Sequence, residues 1–265
     1  MGERSAGQPG ARAALQGQVA WVTGGGTGIG LAAAAAIGSE GARIALSGRR
    51  PRELSDGAAK LRERGIEALA VSADVADAES VATAHAQIAD ALGPVAALVC
   101  CAGTNVPNRM WPALTPQAFA HVVAINLNGV SYCVQAVLPG MRAAGAGAIV
   151  VVSSWAGWEY LSFAGAAYGA SKTALSPLVK SLNDQEGQHG IRACHLCPGE
   201  VATPILRTRP VPPPPQDLER MLTPEDVGEA IRWVVAAPAH VCVNELVISP
   251  TWNRIYVGAP DLQRR

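Results

Sequence analysis

The sequence predicts an α/β fold, a parallel sheet of about seven strands with helices on both faces. Three observations carry this. Short apolar runs alternate along the chain with longer segments of helical spacing, the order expected of β–α units. The runs are near-continuous, as in Val95–Cys101, which suits strands buried on both faces. Connections are short and no linker divides the chain. Residues 16–265 therefore read as one domain behind a loose Gly/Ala/Arg-rich tail, 1–15.

The elements follow in order. Gln18–Thr23 is a first strand that stops at Gly24, and Ile29–Ser39 a helix with small residues on its packing side. Ala42–Ser47 is the second strand, followed by a charged helix over Arg52–Arg64. Ile66–Ser72 and Val95–Cys101 are the next strands, with a helix over Glu79–Leu92 between them. A long helix covers Thr115–Arg142, with Pro139 near its end. Gly147–Ser153 is the fifth strand, Ala167–Glu186 a long helix and Ile191–Cys197 the sixth strand. Thr223–Ala236 opens on Thr223 with Asp226 three residues on, a helix-capping pair. Val241–Ile248 is the last strand. Arg209–Gln216 holds five prolines and reads as a stiff flap or spacer.

Composition narrows the function. Hydrophobic residues make up 49% of 265, enough for a sizeable core, and the net charge is zero, so no nucleic-acid partner is expected. Residues 1–15 lack a secretory apolar stretch, and Leu31–Ile37 is too short to span a bilayer. The expectation is a cytoplasmic protein with no membrane partner. The six cysteines lie mostly in apolar runs and read as small buried hydrophobes. Cys194-x-x-Cys197 has no second Cys or His pair, so no metal is expected. The five histidines form no set and read as structural or exposed.

The chemistry begins at Thr23-Gly24-Gly25-Gly26-Thr27-Gly28-Ile29-Gly30, between the first strand and the first helix. Glycines there let the backbone approach a pyrophosphate, and the helix N-terminus adds free N–H groups and a favourable dipole. At the end of the second strand an acidic side chain would bind the adenosine ribose of NAD. Here Gly48 takes that place and Arg49-Arg50 follow, so a 2′-phosphate is accommodated and NADP is favoured, with NAD possible. Asp74, before Val75, can reach the adenine amino group or cap the following helix. Tyr168 and Lys172 stand four residues apart, on one face of a helix, where the ammonium would lower the phenol's pKa.

With these landmarks the chain resembles the classical short-chain dehydrogenase/reductase family over roughly residues 17–250. The motifs stand in family order: the glycine turn at 23–30, Asp74-Val75, Ile125-Asn126-Leu127, Ser153-Ser154, Tyr168-x-x-x-Lys172 and Pro198-Gly199-Glu200-Val201-Ala202-Thr203. The resemblance implies a Rossmann-type, doubly wound parallel sheet and hydride transfer between NADP and a carbonyl or secondary alcohol. Tyr168 would be the general acid or base and Ser154 would stabilise the substrate oxygen. Lys172 would hold the nicotinamide ribose, and Asn126 would position a water for proton relay. Gly24, Thr27, Gly28, Ile29, Gly30, Arg49, Arg50, Asp74, Val75, Ala102, Gly103, Tyr168, Lys172, Pro198, Gly199, Val201 and Thr203 would contact the cofactor. Family members also imply a homotetramer or homodimer, packed through the two long helices, with the apolar tail Val243–Val257 as a second contact surface.

Three features depart from the family pattern. Cys100-Cys101 replaces an Asn pair before Ala102-Gly103, so altered support is expected there. Ser154 lies fourteen residues before Tyr168, one more than is commonest, which leaves Ser153 as an alternative serine. A Gly-Gly after the last strand is absent, and the ending resembles the NADP-dependent 3-hydroxy acid (serine-type) branch. That branch, and a non-catalytic NADP-binding regulator, are the alternatives to a small-molecule ketone reductase. Expected pocket walls are Trp155, Trp158, Tyr160, Pro204, Ile205 and Leu206, with Arg207 and Arg209 as possible carboxylate partners.

Overall fold

The computed structural model describes residues 14–209, 211–259 and 262, with the side chains of Arg207 and Thr208 excepted. Seven parallel strands form one sheet in the order β3-β2-β1-β4-β5-β6-β7. They are β1 (Val19–Thr23), β2 (Arg43–Gly48), β3 (Ala68–Ser72), β4 (Val95–Cys100), β5 (Gly147–Val152), β6 (Ile191–Pro198) and β7 (Glu245–Ile248). The order reverses between β1 and β4, and such a switch point leaves a crevice beyond the carboxyl ends of the strands.

Helices cover both faces, as the buried strands require. On one face α1 (Gly28–Gly38), α2 (Pro51–Glu63) and α10 (Pro224–Val235) bury Ala33, Leu61 and Ile231 against Val22, Leu46 and Leu196. On the other, α3 (Ala78–Leu92), α5 (Gly129–Ala144) and α8 (Leu175–Glu186) bury Ile88, Val134 and Val179 against Trp21, Leu98 and Ile149. The alternation of side chains along each strand assigns neighbouring residues to opposite cores. Trp21 is fully buried, and its indole N–H donates to Ser47 Oγ at 2.8 Å, so the sheet carries no unsatisfied indole.

The long helix expected over Thr115–Arg142 runs as α4 (Pro116–Val123), a π-helical turn at Ala124–Asn128 and α5. The spacing does not reveal the π turn, which lies at the candidate residue Asn126. Pro116–Ala144 is long and apolar enough to cross a bilayer, but it packs as a core helix against α3 and β4. The helix expected over Ala167–Glu186 is divided at Ala174 into α7 (Ala166–Thr173) and α8. The capping box at Thr223 and Asp226 forms as expected.

β7 is shorter than the apolar run predicted. Its four residues pair with His195–Pro198, whereas Val241 closes a turn onto Pro238 before the strand begins. Most of the expected tail lies outside the described residues. Leu15, at its end, is buried, and its N–H donates to the carbonyl of Glu40. Three short helices complete the chain: α6 (Trp155–Trp158), α9 (Pro215–Leu218) and α11 (Arg254–Val257).

All six cysteines are free. Cys194 and Cys197, an odd number of residues apart on β6, point to opposite faces and cannot share a ligand. The structure does bring His195 together with two other groups. Its Nδ1 lies 3.0 Å from Glu245 Oε2 and 3.4 Å from Cys197 Sγ. The three donors lie within 4.8 Å of one another, a grouping not visible from histidine spacing alone.

Candidate active site

Two cavities lie beyond the carboxyl ends of the strands, and Gly103 lines both. The outer one is walled by Gly24, Gly26, Gly48, Arg49, Arg50, Glu53, Asp74, Val75 and Ala102. The inner one, of about 170 Å³, is walled by Ile29, Ser154, Tyr168, Lys172 and the segment Pro198–Val201 with Thr203. Gly24 and Thr203, 179 positions apart, thus share one crevice, because the connections that follow the parallel strands gather at the same edge of the sheet.

The glycine turn has little room for side chains. A Cβ on Gly30 would collide with the carbonyl oxygen of Gly24, so helix α1 can begin this close to β1 only with glycine there. Thr27 is the N-cap residue of α1, and Gly28 lies beside Thr203. Neither of these nor Gly30 lines a cavity wall. Arg50 is tied to the turn, donating to Glu53 at 3.1 Å and to Thr27 Oγ1 at 3.3 Å, while Arg49 is exposed at the outer rim. Asp74 does not cap α3. Its carboxylate accepts from Ala76 N in a local turn, and Asp77 supplies the cap.

Support after β4 takes a different form from an Asn pair. Cys100 is buried, with its thiol against Cys133. The chain beyond is held by Thr23 Oγ1, which accepts from Ala102 N at 3.2 Å, and by Asn126. Fully buried Asn126 accepts from Thr104 N at 2.8 Å and donates to Thr104 O and Ser171 Oγ. One side chain from the π turn thus fastens the β4 loop to α7.

Ser154, the residue before α6, lines the inner cavity with Tyr168, and its Oγ accepts from Ala156 N at 3.1 Å. Ser153 turns the other way and donates to the Lys172 carbonyl at 3.1 Å, so Ser154 is the serine that faces the phenol. Burial raises the Tyr168 pKa, opposed by Ser154 and then by the charges of Arg209 and Arg109. The lowering influence expected from Lys172 is not what opposes burial here. The Lys172 ammonium lies 5.9 Å from the ring centroid and donates to Val152 O at 2.8 Å. Lys172 is 4% exposed, and its burial brings the pKa down to about 8.

Of the six expected wall residues, Trp155, Ile205 and Leu206 line the inner cavity. Trp158, Tyr160 and Pro204 do not. The single turn of α6 directs Trp158 outward, where its ring packs edge-on against Trp155 at 5.0 Å. Sequence reasoning missed Arg109, Asn105, Leu161, Phe163 and Ile255. Arg109 stands in none of the motifs, and no spacing could have marked it. Arg209 does face the cavity, whereas the Arg207 side chain lies outside the described residues.

The model of the short chain dehydrogenase family matches residues 18–211. The chain belongs to the short-chain dehydrogenase family. It is therefore an oxidoreductase built on the nucleotide-binding sheet described above. Its short-chain dehydrogenase relatives include an acetoacetyl-CoA reductase of Synechocystis, 34% identical over 84% of this chain and 88% of the relative. Glycine betaine reductase of Emericella nidulans is 32% identical over 89% of this chain, which spans 19% of that longer protein. An alcohol dehydrogenase from Thermococcus sibiricus, complexed with 5-hydroxy-NADP, superposes with a TM-score of 0.80. It shares 29% identity, over 89% of this chain and 98% of that one.

Proposed function

We propose that the protein is an NADP-dependent oxidoreductase that interconverts a carbonyl and a secondary alcohol. The observation that carries this is the Tyr168 phenol, beside Ser154 and Lys172 in a cavity that meets a glycine-lined, arginine-rimmed cavity at Gly103. That combined crevice fits a dinucleotide. The crowding at Gly30 leaves α1 close behind the turn, and Arg49 and Arg50 rim the end where a 2′-phosphate would lie. The NADP-bound relative supports the same choice.

Gly24, Thr27, Gly28, Ile29 and Gly30 would hold the pyrophosphate, and Asp74 and Val75 the adenine. Ala102 and Gly103 would pass beneath the cofactor, and Pro198, Gly199, Val201 and Thr203 would hold the carboxamide. Bound NADPH supplies the hydride. Tyr168 gives its proton to the carbonyl oxygen in reduction and removes it in oxidation. Ser154 donates to that oxygen as charge develops, Lys172 would hold ribose hydroxyls, and Asn126 would position a water for proton relay. The direct test is a panel of ketones, 3-oxo acids and alcohols followed by NADPH absorbance. No turnover across the panel would sink the reading.

Replacing Arg49 by Ala is expected to reduce the preference for NADPH over NADH by about tenfold, the value of a charge-assisted phosphate contact. The ratio of kcat/KM for the two cofactors checks it, and an unchanged ratio removes Arg49 from the site. We further propose that residues 16–265 act as one domain, in the cytoplasm, as a homotetramer or homodimer. Tyr256, Val257 and Trp233 leave apolar surface exposed, which suits a subunit contact. Light scattering on the eluted protein should give a mass of two or four chains, and a monomer at micromolar concentration would refute it.

A further inference from the structure

Within the segment Pro198–Thr203, Glu200 is a charged side chain that hydride transfer does not call for, and it is 7% exposed. Its main chain is fixed from both sides. Gly199 N–H donates to Ile248 O at 2.7 Å, and Leu222 N–H donates to Glu200 O at 3.1 Å. Glu200 lines the inner cavity, and its carboxylate accepts from two guanidiniums that come from distant parts of the chain. Arg209 donates through Nη1 to Oε1, and its guanidinium lies 5.3 Å over the Phe163 ring. Arg254, the first residue of α11, donates through Nη1 to both carboxylate oxygens, at 3.0 and 3.2 Å. Its Nε–H donates to Asp217 of α9 at 2.9 Å. These four side chains carry two charges of each sign, so each buried charge has an opposite one at contact distance.

This charge lattice holds walls of the inner cavity. Ile205 and Leu206 lie in the chain between Glu200 and Arg209, Phe163 lies under Arg209, and Ile255 follows Arg254; all four line the cavity. Tyr256, one residue further, packs edge-on against Trp155, another wall, at 5.6 Å. Arg254 and Asp217 are not themselves in the wall. A buried ion pair contributes little net stability, yet losing one partner leaves the other charge uncompensated. Its main effect is therefore on which arrangement the surrounding segments adopt.

We propose that Glu200 is a positioning residue. It ties the segment that would hold the nicotinamide carboxamide to the substrate-side walls Ile205, Leu206, Phe163 and Ile255, so cofactor and substrate are set in one frame. Helix α11 takes part in substrate binding through Ile255, and Arg254 sets its place by way of Glu200. This rests on the oxidoreductase reading above and adds the residue that couples its cofactor segment to its substrate pocket.

The test begins with Glu200→Gln, which keeps the shape and removes the charge. KM for the best ketone of the panel above should rise roughly ten- to a hundredfold, the range for a lost charge-assisted hydrogen bond. The kcat and the Kd for NADPH should change by less than about threefold, because the loss falls on substrate binding. Arg254→Met, outside the cavity wall, should raise KM in the same way. The double variant should be no worse than the worse single one, since both break one lattice. Arg254→Lys keeps the charge without the fork and should recover part of the loss. A second readout is amide hydrogen exchange. NADPH should slow exchange at Ile255–Val257 in the wild type and leave it unslowed in Glu200→Gln. A lowered Tm with unchanged KM would overturn the proposal by making the lattice merely structural. An equal loss of NADPH affinity would also overturn it, by assigning Glu200 to the cofactor site. So would additive effects in the double variant, or exchange at α11 that NADPH does not slow in the wild type. If no ketone turns over in the wild type, the oxidoreductase reading fails, while the exchange comparison still decides the coupling. Should Glu200→Gln not fold, Arg254→Met and Arg254→Lys carry both readouts.

Discussion

Tyr168→Phe is expected to lower kcat by about 10²–10⁴-fold, the usual contribution of a positioned general acid. Phe keeps the ring, so the packing of α7 beside the cavity is preserved and only the ionisable oxygen is removed. NADPH affinity, distributed over the whole crevice, should change far less. The pair of measurements is turnover and a fluorescence titration of NADPH. A variant that keeps more than about a tenth of wild-type kcat would remove Tyr168 from the chemistry. A protein that only sensed NADP would keep its effect in this variant, so the same experiment separates an enzyme from a regulator. The pH dependence has a definite sign. Burial raises the Tyr168 pKa, so the phenol stays protonated through neutrality. Carbonyl reduction should then hold its rate across neutral pH, and alcohol oxidation, which needs the phenolate, should accelerate as pH rises.

The groups that oppose burial at Tyr168 show where the sequence was readable and where it was not. Tyr168 and Lys172 could be placed on one helix face because four residues make about one turn. Where the ammonium goes could not be read, since it depends on a carbonyl of β5, Val152 O, brought near by tertiary packing. Arg109 and Arg209 are 100 positions apart in the chain. They meet at the cavity because Gly165 admits one loop and Phe163 carries the other. Local spacing carries no record of such a meeting. The glycine turn and the alternation of strands and helices were legible for the opposite reason: each rests on contacts between neighbouring segments and on an apolar pattern that repeats along the chain. Trp158 was misplaced because α6 lasts only one turn, too short for periodicity to tell its inner from its outer side.

Lys172→Met should push activity and stability in opposite directions. The ammonium is buried against β5, and the charged form is disfavoured there, which brings the pKa from 10.5 to about 8. A shift of that size corresponds to roughly 3 kcal/mol of destabilisation at neutral pH, where Lys172 is charged both folded and unfolded. Met fills similar volume without the charge but leaves Val152 O without its donor, at about 1 kcal/mol. A net gain of roughly 2 kcal/mol is therefore expected, seen as a rise of several degrees in Tm. The sign of the pH effect follows from the depressed pKa. Between about pH 8 and 10.5 the unfolded chain binds more protons at this site than the folded one, so wild-type stability from this group rises with pH. The advantage of the Met variant should shrink across that window and turn into a small disadvantage above it, where only the lost Val152 hydrogen bond, about 1 kcal/mol, remains. Turnover should fall by about 10²–10³-fold, because the cation is lost beside the site where charge develops on the substrate oxygen. Thermal melts from pH 7 to 10.5, beside kcat at pH 7, decide it. A Tm advantage that does not shrink with pH would mean that the gain comes from packing and not from the buried charge. A variant less stable than wild type at pH 7 would mean that the Val152 hydrogen bond outweighs the cost of burying the ammonium.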